Sequence, residues 1–207
     1  DRGTFTPLEL ISAILRAPVD VLWNGGIGTY VKATTETHAE VGDRANDGLR
    51  VNGGELRCKM VGEGGNLGFT QRGRIEYALA GGLVYTDAID NSAGVDCSDH
   101  EVNIKILLND VMNSATGDDD HTAMDLARRD ELLASMTDEV GVQVLADNEA
   151  QTLALAIARR QALPMVNVHS RYLNQLEAEG WLNRSLEFLP TDKQIAERQA
   201  AGGGLTT

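Results

Sequence analysis

Gly62, Gly64 and Gly68 in the stretch "MVGEGGNLGFT" follow a short apolar run, spell G-x-G-x-x-x-G, and stand before a helix-forming segment. Asp87 falls near the end of the next strand-forming run. Glycines in such a bend let backbone N–H groups approach a phosphate closely, and an acid about 20 residues on can bind a ribose. The pattern is a spacing variant of the dinucleotide fingerprint, and a full strand–helix unit precedes it. Two other stretches carry related chemistry, "WNGG" at 23–26 and "DNSAG" at 90–94. Asparagine offers an amide donor and an acceptor, and glycine permits positive φ. One such bend is ordinary turn chemistry. Three of them at the carboxyl ends of parallel strands predict a ligand crevice, because that edge is where α/β sheets bind.

The elements that must position these bends read as alternating strand and helix. "PLELISAILRA" from Pro7 has helical spacing, with proline near its start. A buried-type strand is predicted over Val19–Trp23 and stops at Asn-Gly-Gly. The polar stretch "TETHAEVGDRANDGLR" predicts a helix with Val41, Ala45 and Leu49 inward. "LRCKMVGEGGN" reads as the second strand and bend, and "TQRGRIEYALAGG" as a helix with Thr70 as N-cap and Gly81–Gly82 as its stop. "LVYTDAIDNSAG" reads as the third strand and bend, and "SDHEVNIKILLNDVM" as an apolar, well-buried helix. This alternation predicts an α/β fold, a parallel sheet with crossover helices. From Ala123 onward only helices are predicted, at about 123–135, 138–162, 165–179 and 191–200. Pro164 opens the third of these and Gly180 closes it. "TGDDDHT" reads as a solvated acidic turn.

The totals narrow the function classes. A chain of 207 residues with 42% hydrophobic content can bury one sizeable core, or one core and a helical appendage. Its 31 acidic and 18 basic side chains leave a charge of -13, which repels phosphate backbones and argues against nucleic acid as a partner. Cys58 and Cys97 form no CxxC and read as reduced thiols. No apolar stretch is long enough to span a bilayer, and "DRGTFTPLEL" is not a signal peptide, so a cytoplasmic protein is expected.

Five stretches together resemble the large bacterial NAD-specific glutamate dehydrogenases: "LWNGGIGTYVKA", "VGDRAND", "VGEGGNLGFTQRGRIEYALAGG", "TDAIDNSAGVDCSDHEVNIKILL" and "MTDEV". "LNRSLEFLP" adds a match near the end. The resemblance implies that residues 1–115 are the second half of an NAD-binding Rossmann-like domain and that 116–207 are an all-helical extension. It implies NAD as cofactor, with Asn24, Gly25 and Gly26 lining the first strand end, Gly64, Gly65 and Asn66 the second, and Asn91 the third. The bend at 62–68 then contacts ribose and nicotinamide and is not the pyrophosphate loop, which comes earlier in the family. Ser98 matches the family serine that binds the distal carboxylate of glutamate. A capping role competes with that reading, because Ser98 and Glu101 stand at S-x-x-E spacing.

The implied reaction is reversible oxidative deamination of L-glutamate to 2-oxoglutarate and ammonia. No residue matches the family's catalytic lysine and aspartate, and Lys32, Lys59 and Lys105 are assigned no catalysis. Little or no activity is therefore expected of this chain alone. Its expected partners are the substrate, the rest of the same polypeptide, and further copies in a homo-oligomeric full-length enzyme. Asp96, Asp99, His100 and Glu101 read as cap and surface charges rather than metal ligands. His38, His121 and His169 lack ligand spacing and are expected to be exposed. The alternative reading is a non-catalytic nucleotide-binding, oligomerisation or regulatory module.

Overall fold

The computed structural model describes residues 3–114 and 124–205, so "TGDDDHT" and His121 lie outside the described residues. Helix α1 (Pro7–Leu15) starts at a reciprocal cap: Thr6 Oγ1 accepts from the Glu9 amide, and the Glu9 carboxylate accepts from the Thr6 amide. Strand β1 (Val21–Asn24) follows, then β2 (Val31–Lys32), α2 (His38–Val41), β3 (Val51–Asn52) and β4 (Met60–Glu63). Helix α3 (Gln71–Leu79) is capped by Thr70, whose Oγ1 accepts from the Gly73 amide at 2.9 Å. Strand β5 (Leu83–Val84), α4 (Asp87–Asp90), α5 (Asp96–Ser114), α6 (Leu126–Gln161), α7 (Val166–Ala178) and α8 (Asp192–Ala200) complete the order.

The fold is α/β. Strand β4 lies between β1 and β5 in a parallel sheet, with Asn24 opposite Glu63 and Val61 opposite Val84. A second parallel pair joins β2 to β3. Leu15, Val31, Leu49, Val51, Cys58, Val61, Phe69 and Tyr77 form the core beneath them, and Leu22 and Val84 pack against it. The period of two puts Val21, Trp23, Met60 and Leu83 on the other side of the sheet, where they are 40–63% exposed. The expected buried-type strand is thus buried on one face only.

Four elements depart from expectation. The polar segment after Thr35 makes one short helix and then stops, because Gly42 adopts φ 76 at its C-cap. The fully buried Arg50 side chain donates to the carbonyls of Thr29 and Asp43 and to the Asp47 carboxylate, holding 43–50 in a short 3-10 helix (Arg44–Asn46) and a turn. Leu49 is buried as expected, whereas Ala45 is exposed. The third strand ends at Val84, and Asp87–Asp90 is helical. Helix α5 is largely open: Leu108 is buried, but Val102, Ile106, Leu107 and Val111 are 40–62% exposed. The two helices expected over 123–162 are one, α6, since Thr137 bonds back to the Leu133 carbonyl at 3.3 Å instead of capping a new start.

The chain divides into two compact units, Asp1–Asp87 with Thr152–Thr207, and Ala88–Gln151. In the first, Glu76 accepts from the Thr34 and Gly54 amides, each at 2.7 Å, tying α3 to two loops. Burial pushes the Glu76 carboxyl up, but these amide bonds prevail and hold it below its ordinary 4.5. Amide donation from Asn52 likewise lowers Glu55, and that from Thr37 lowers Glu40. Side-chain bonds from Asn46 and Arg184 lower Asp43 and Asp192. Each of these groups binds a proton less readily folded than unfolded, so its stabilisation is present above the ordinary carboxylate pKa and lost as pH falls through the lowered one. The melting temperature is expected to fall steadily below about pH 4.5, and Glu76→Gln to shallow that fall; calorimetry across pH 2.5–7 reads both.

Candidate functional site

The carboxyl ends of β1 and β4 lie side by side, because Asn24 and Glu63 are register partners. Beyond them the chains approach so closely that a Cβ on Gly65 would land on the Gly26 carbonyl oxygen. A Cβ on Gly64 would meet the indole of Trp23, which lies across Gly62 and Gly64 on the open face. A Cβ on Gly68 would strike the Asn24 carboxamide nitrogen. These glycines are what permits two strand ends to share one edge. The structure therefore brings Asn24, Gly25 and Gly26 together with Gly64 and Gly65. Asn66 follows at the exposed tip of the bend.

Asn24 Oδ1 accepts from the Gly26 amide at 3.4 Å, an Asx-type turn. Its Nδ2 is buried and has no hydrogen-bond partner. An unsatisfied buried donor costs about 1–3 kcal/mol, so its persistence calls for an explanation.

An ionic network that the sequence reading missed fastens the bend from below. Glu63 is fully buried, and its carboxylate accepts from Arg74 Nε at 2.5 Å, Arg74 Nη2 at 3.0 Å and the Phe69 amide at 3.2 Å. Burial pushes the Glu63 carboxyl up, and the Arg74 guanidinium pulls against that rise. Arg74 also donates to Gln71 Oε1 at 2.7 Å and stands 3.7 Å from Asp87 Oδ1. Asp87 Oδ2 accepts from the Leu67 amide at 2.7 Å, and Leu67 has φ 58. The acid that suggested a ribose contact thus binds the protein's own bend. The sequence signal was slight: a lone acid between glycines, Glu63, and an arginine one helical turn inside α3, Arg74.

Asn91 and Ser98 belong to the second unit. Because β5 ends early, Asn91 does not close a strand; it follows α4 in a turn. Its Oδ1 accepts from the Gly94 amide at 3.2 Å, and Ser98 Oγ donates to the Gly94 carbonyl at 3.2 Å. The two side chains therefore meet on one glycine. Helix α5 begins at Asp96, two residues before Ser98, so the capping-box reading of Ser98 with Glu101 does not hold.

In the same unit His100 Nε2 lies 3.1 Å from Asp147 Oδ2 and 3.9 Å from Asp96 Oδ1, a set whose partner Asp147 is remote in sequence. Asn148 Nδ2 donates to the Ile89 carbonyl and Ser92 Oγ, both at 2.6 Å, so α6 holds the turn that carries Asn91. His38 is exposed as expected, and His169 is half-buried. Lys32 is buried and donates to Asn52 Oδ1 at 2.5 Å, Lys59 pairs with Asp20, and Lys105 pairs with Glu101, so each is engaged in a structural contact. Cys58 and Cys97 are free thiols. Among the described residues no helix is long and apolar enough to cross a membrane.

The family model for the bacterial NAD-glutamate dehydrogenase catalytic domain matches residues 1–158. The NAD-specific glutamate dehydrogenase of Pseudomonas aeruginosa is 60% identical over 200 residues, covering 97% of this chain and 12% of the relative. The enzyme of the same name from Mycobacterium tuberculosis is 55% identical over 201 residues, and that of Halomonas elongata 53% identical over 201, with the same coverage. The chain thus spans about an eighth of the length of these relatives. A match of this extent, over the stretches that build both the glycine edge and the Gly94 turn, establishes that the chain belongs to the bacterial NAD-glutamate dehydrogenase family.

Proposed function

We propose that this chain supplies the late part of the cofactor domain of an NAD-dependent glutamate dehydrogenase, with residues 1–115 as the second half of that domain and 116–207 as a helical extension. The observation that carries the reading is the shared edge of β1 and β4, where Gly26 and Gly65 meet and the Asn24 Nδ2 donor is left unsatisfied. A glycine edge admits a ribose and a nicotinamide amide, and an acceptor brought to Asn24 would satisfy that donor. Asn24, Gly25, Gly26, Gly64, Gly65 and Asn66 would hold the cofactor there; Asn91, in the second unit, is proposed as a cofactor contact on the family resemblance alone. When bound, NAD accepts the hydride from the substrate α-carbon, and the protein's part is to orient both partners.

Ser98 would donate its hydroxyl to the distal carboxylate of L-glutamate or 2-oxoglutarate. In that role it would exchange its Gly94 bond for one to the substrate. The second unit's exposed apolar residues on α5 are consistent with contacts to the remainder of a longer, homo-oligomeric enzyme. The chain contributes these contacts, and the catalytic lysine and aspartate of the family come from elsewhere in the polypeptide.

The test is an NADH fluorescence titration of the chain. Saturable binding is expected, and Asn66→Ala should weaken it about tenfold, the loss of one well-made ribose contact. Binding that Asn66→Ala leaves unchanged would remove the bend from the cofactor site. No saturable binding at all would show that the two strand ends make no competent crevice in this chain.

A further inference from the structure

Asn66 has no rigid element of its own. It sits at the tip of a bend whose next residue, Leu67, is 67% exposed and has φ 58, a left-handed conformation that an unsupported leucine rarely keeps. What keeps it is Asp87: Oδ2 accepts from the Leu67 amide at 2.7 Å, and Oδ1 faces Arg74 Nη2 at 3.7 Å. Arg74 is in turn held by the buried Glu63, which also takes the Phe69 amide. The bend is therefore held at three places, its start at Glu63, its middle at Leu67 and its end at Phe69, by one chain of charges running through Arg74. Glycine at 68 adds no side chain to stiffen it and cannot be replaced there without striking Asn24.

We propose that Asp87 is a positioning residue for the cofactor edge. It does not touch the cofactor; it fixes the left-handed turn at Leu67 and so sets where Asn66 and Gly65 present their polar groups. This rests on the reading that Asn66 contacts NAD. Second-layer anchoring matters because a contact group misplaced by about 1 Å loses most of its contribution to binding. The anchor needs an acceptor oxygen at position 87 more than it needs a charge. Asp87→Ala removes the oxygen, whereas Asp87→Asn keeps one.

Two measurements on the same variants separate the anchor from the cofactor reading. In Asp87→Ala, hydrogen exchange at the Leu67 amide should accelerate at least about tenfold and the NADH dissociation constant rise about tenfold. Asp87→Asn should restore both to within about threefold of the unsubstituted chain, which a general loss of packing would not do. Unchanged exchange in Asp87→Ala overturns the proposal outright. Faster exchange with unchanged NADH affinity also overturns it, while leaving the cofactor site of the preceding section standing. If the unsubstituted chain binds no NADH, the cofactor reading fails and this proposal falls with it. The exchange result would then show a fastened turn of purely structural purpose.

Discussion

Arg74→Met is expected to destabilise the chain by about 3–5 kcal/mol, the range for breaking a buried ion pair from one side. The cost arises at Glu63, whose carboxylate has no exposed surface and would be left without the guanidinium that meets both of its oxygens. Glu63→Gln combined with Arg74→Met should recover much of the loss, because no uncompensated charge then remains in the core. Denaturant unfolding of the three proteins measures the difference directly. The single variant carries a further signature. Without Arg74, Glu63 keeps the Phe69 amide but loses the guanidinium, and its folded pKa rises further above its unfolded value. The deficit is therefore full above that raised pKa and shrinks as pH falls through it. A deficit that grew on acidification would show that Glu63 is not the group left stranded.

Gly65→Ala should cost about 2–3 kcal/mol and abolish NADH binding, whereas Gly64→Ala should cost under about 1 kcal/mol. The two positions are adjacent, and the difference lies in what a methyl group would meet. At 65 it meets the carbonyl oxygen and carbon of Gly26, which are backbone and move only if the ends of β1 and β4 part. At 64 it meets the indole of Trp23, which is 63% exposed and free to swing off the sheet. Denaturant unfolding and NADH titration on both variants test the contrast. Equal effects at 64 and 65 would mean that the shared edge is looser than its geometry implies.

Local features were legible because their causes are local. Thr70 caps α3 through a hydroxyl three residues from the amide it serves, and Gly180 ends α7 at φ 78 because a left-handed residue must stand there. The parallel order followed from strand and helix alternation, since a parallel neighbour requires a crossover. The polar stretch at 35–50 misled for the opposite reason. Its helical periodicity is real, but Arg50 reaches back to Thr29 and Asp43, and those long-range bonds outweigh a weak local preference. The length of the third strand failed similarly: β5 pairs only at Leu83 and Val84, so "TDAID" turns helical where pairing stops.

The sequence by itself determined the α/β class, the family, the glycine bends at the ends of the first two strands, and the candidate contacts at Asn24–Gly26, Gly64–Asn66, Asn91 and Ser98. Each of these is a matter of residue type at a spacing, which the chain carries wherever it goes. Tertiary structure alone decided that Asp87 serves the bend instead of a ribose, that Ser98 and Asn91 meet on Gly94, and that Asp147 stands beside His100. It also decided that Glu63 and Arg74 are buried against one another. The meeting on Gly94 is a local turn that the early end of β5 exposes, whereas the other pairings join groups up to 47 residues apart, made by which surfaces pack together, and no local periodicity records them.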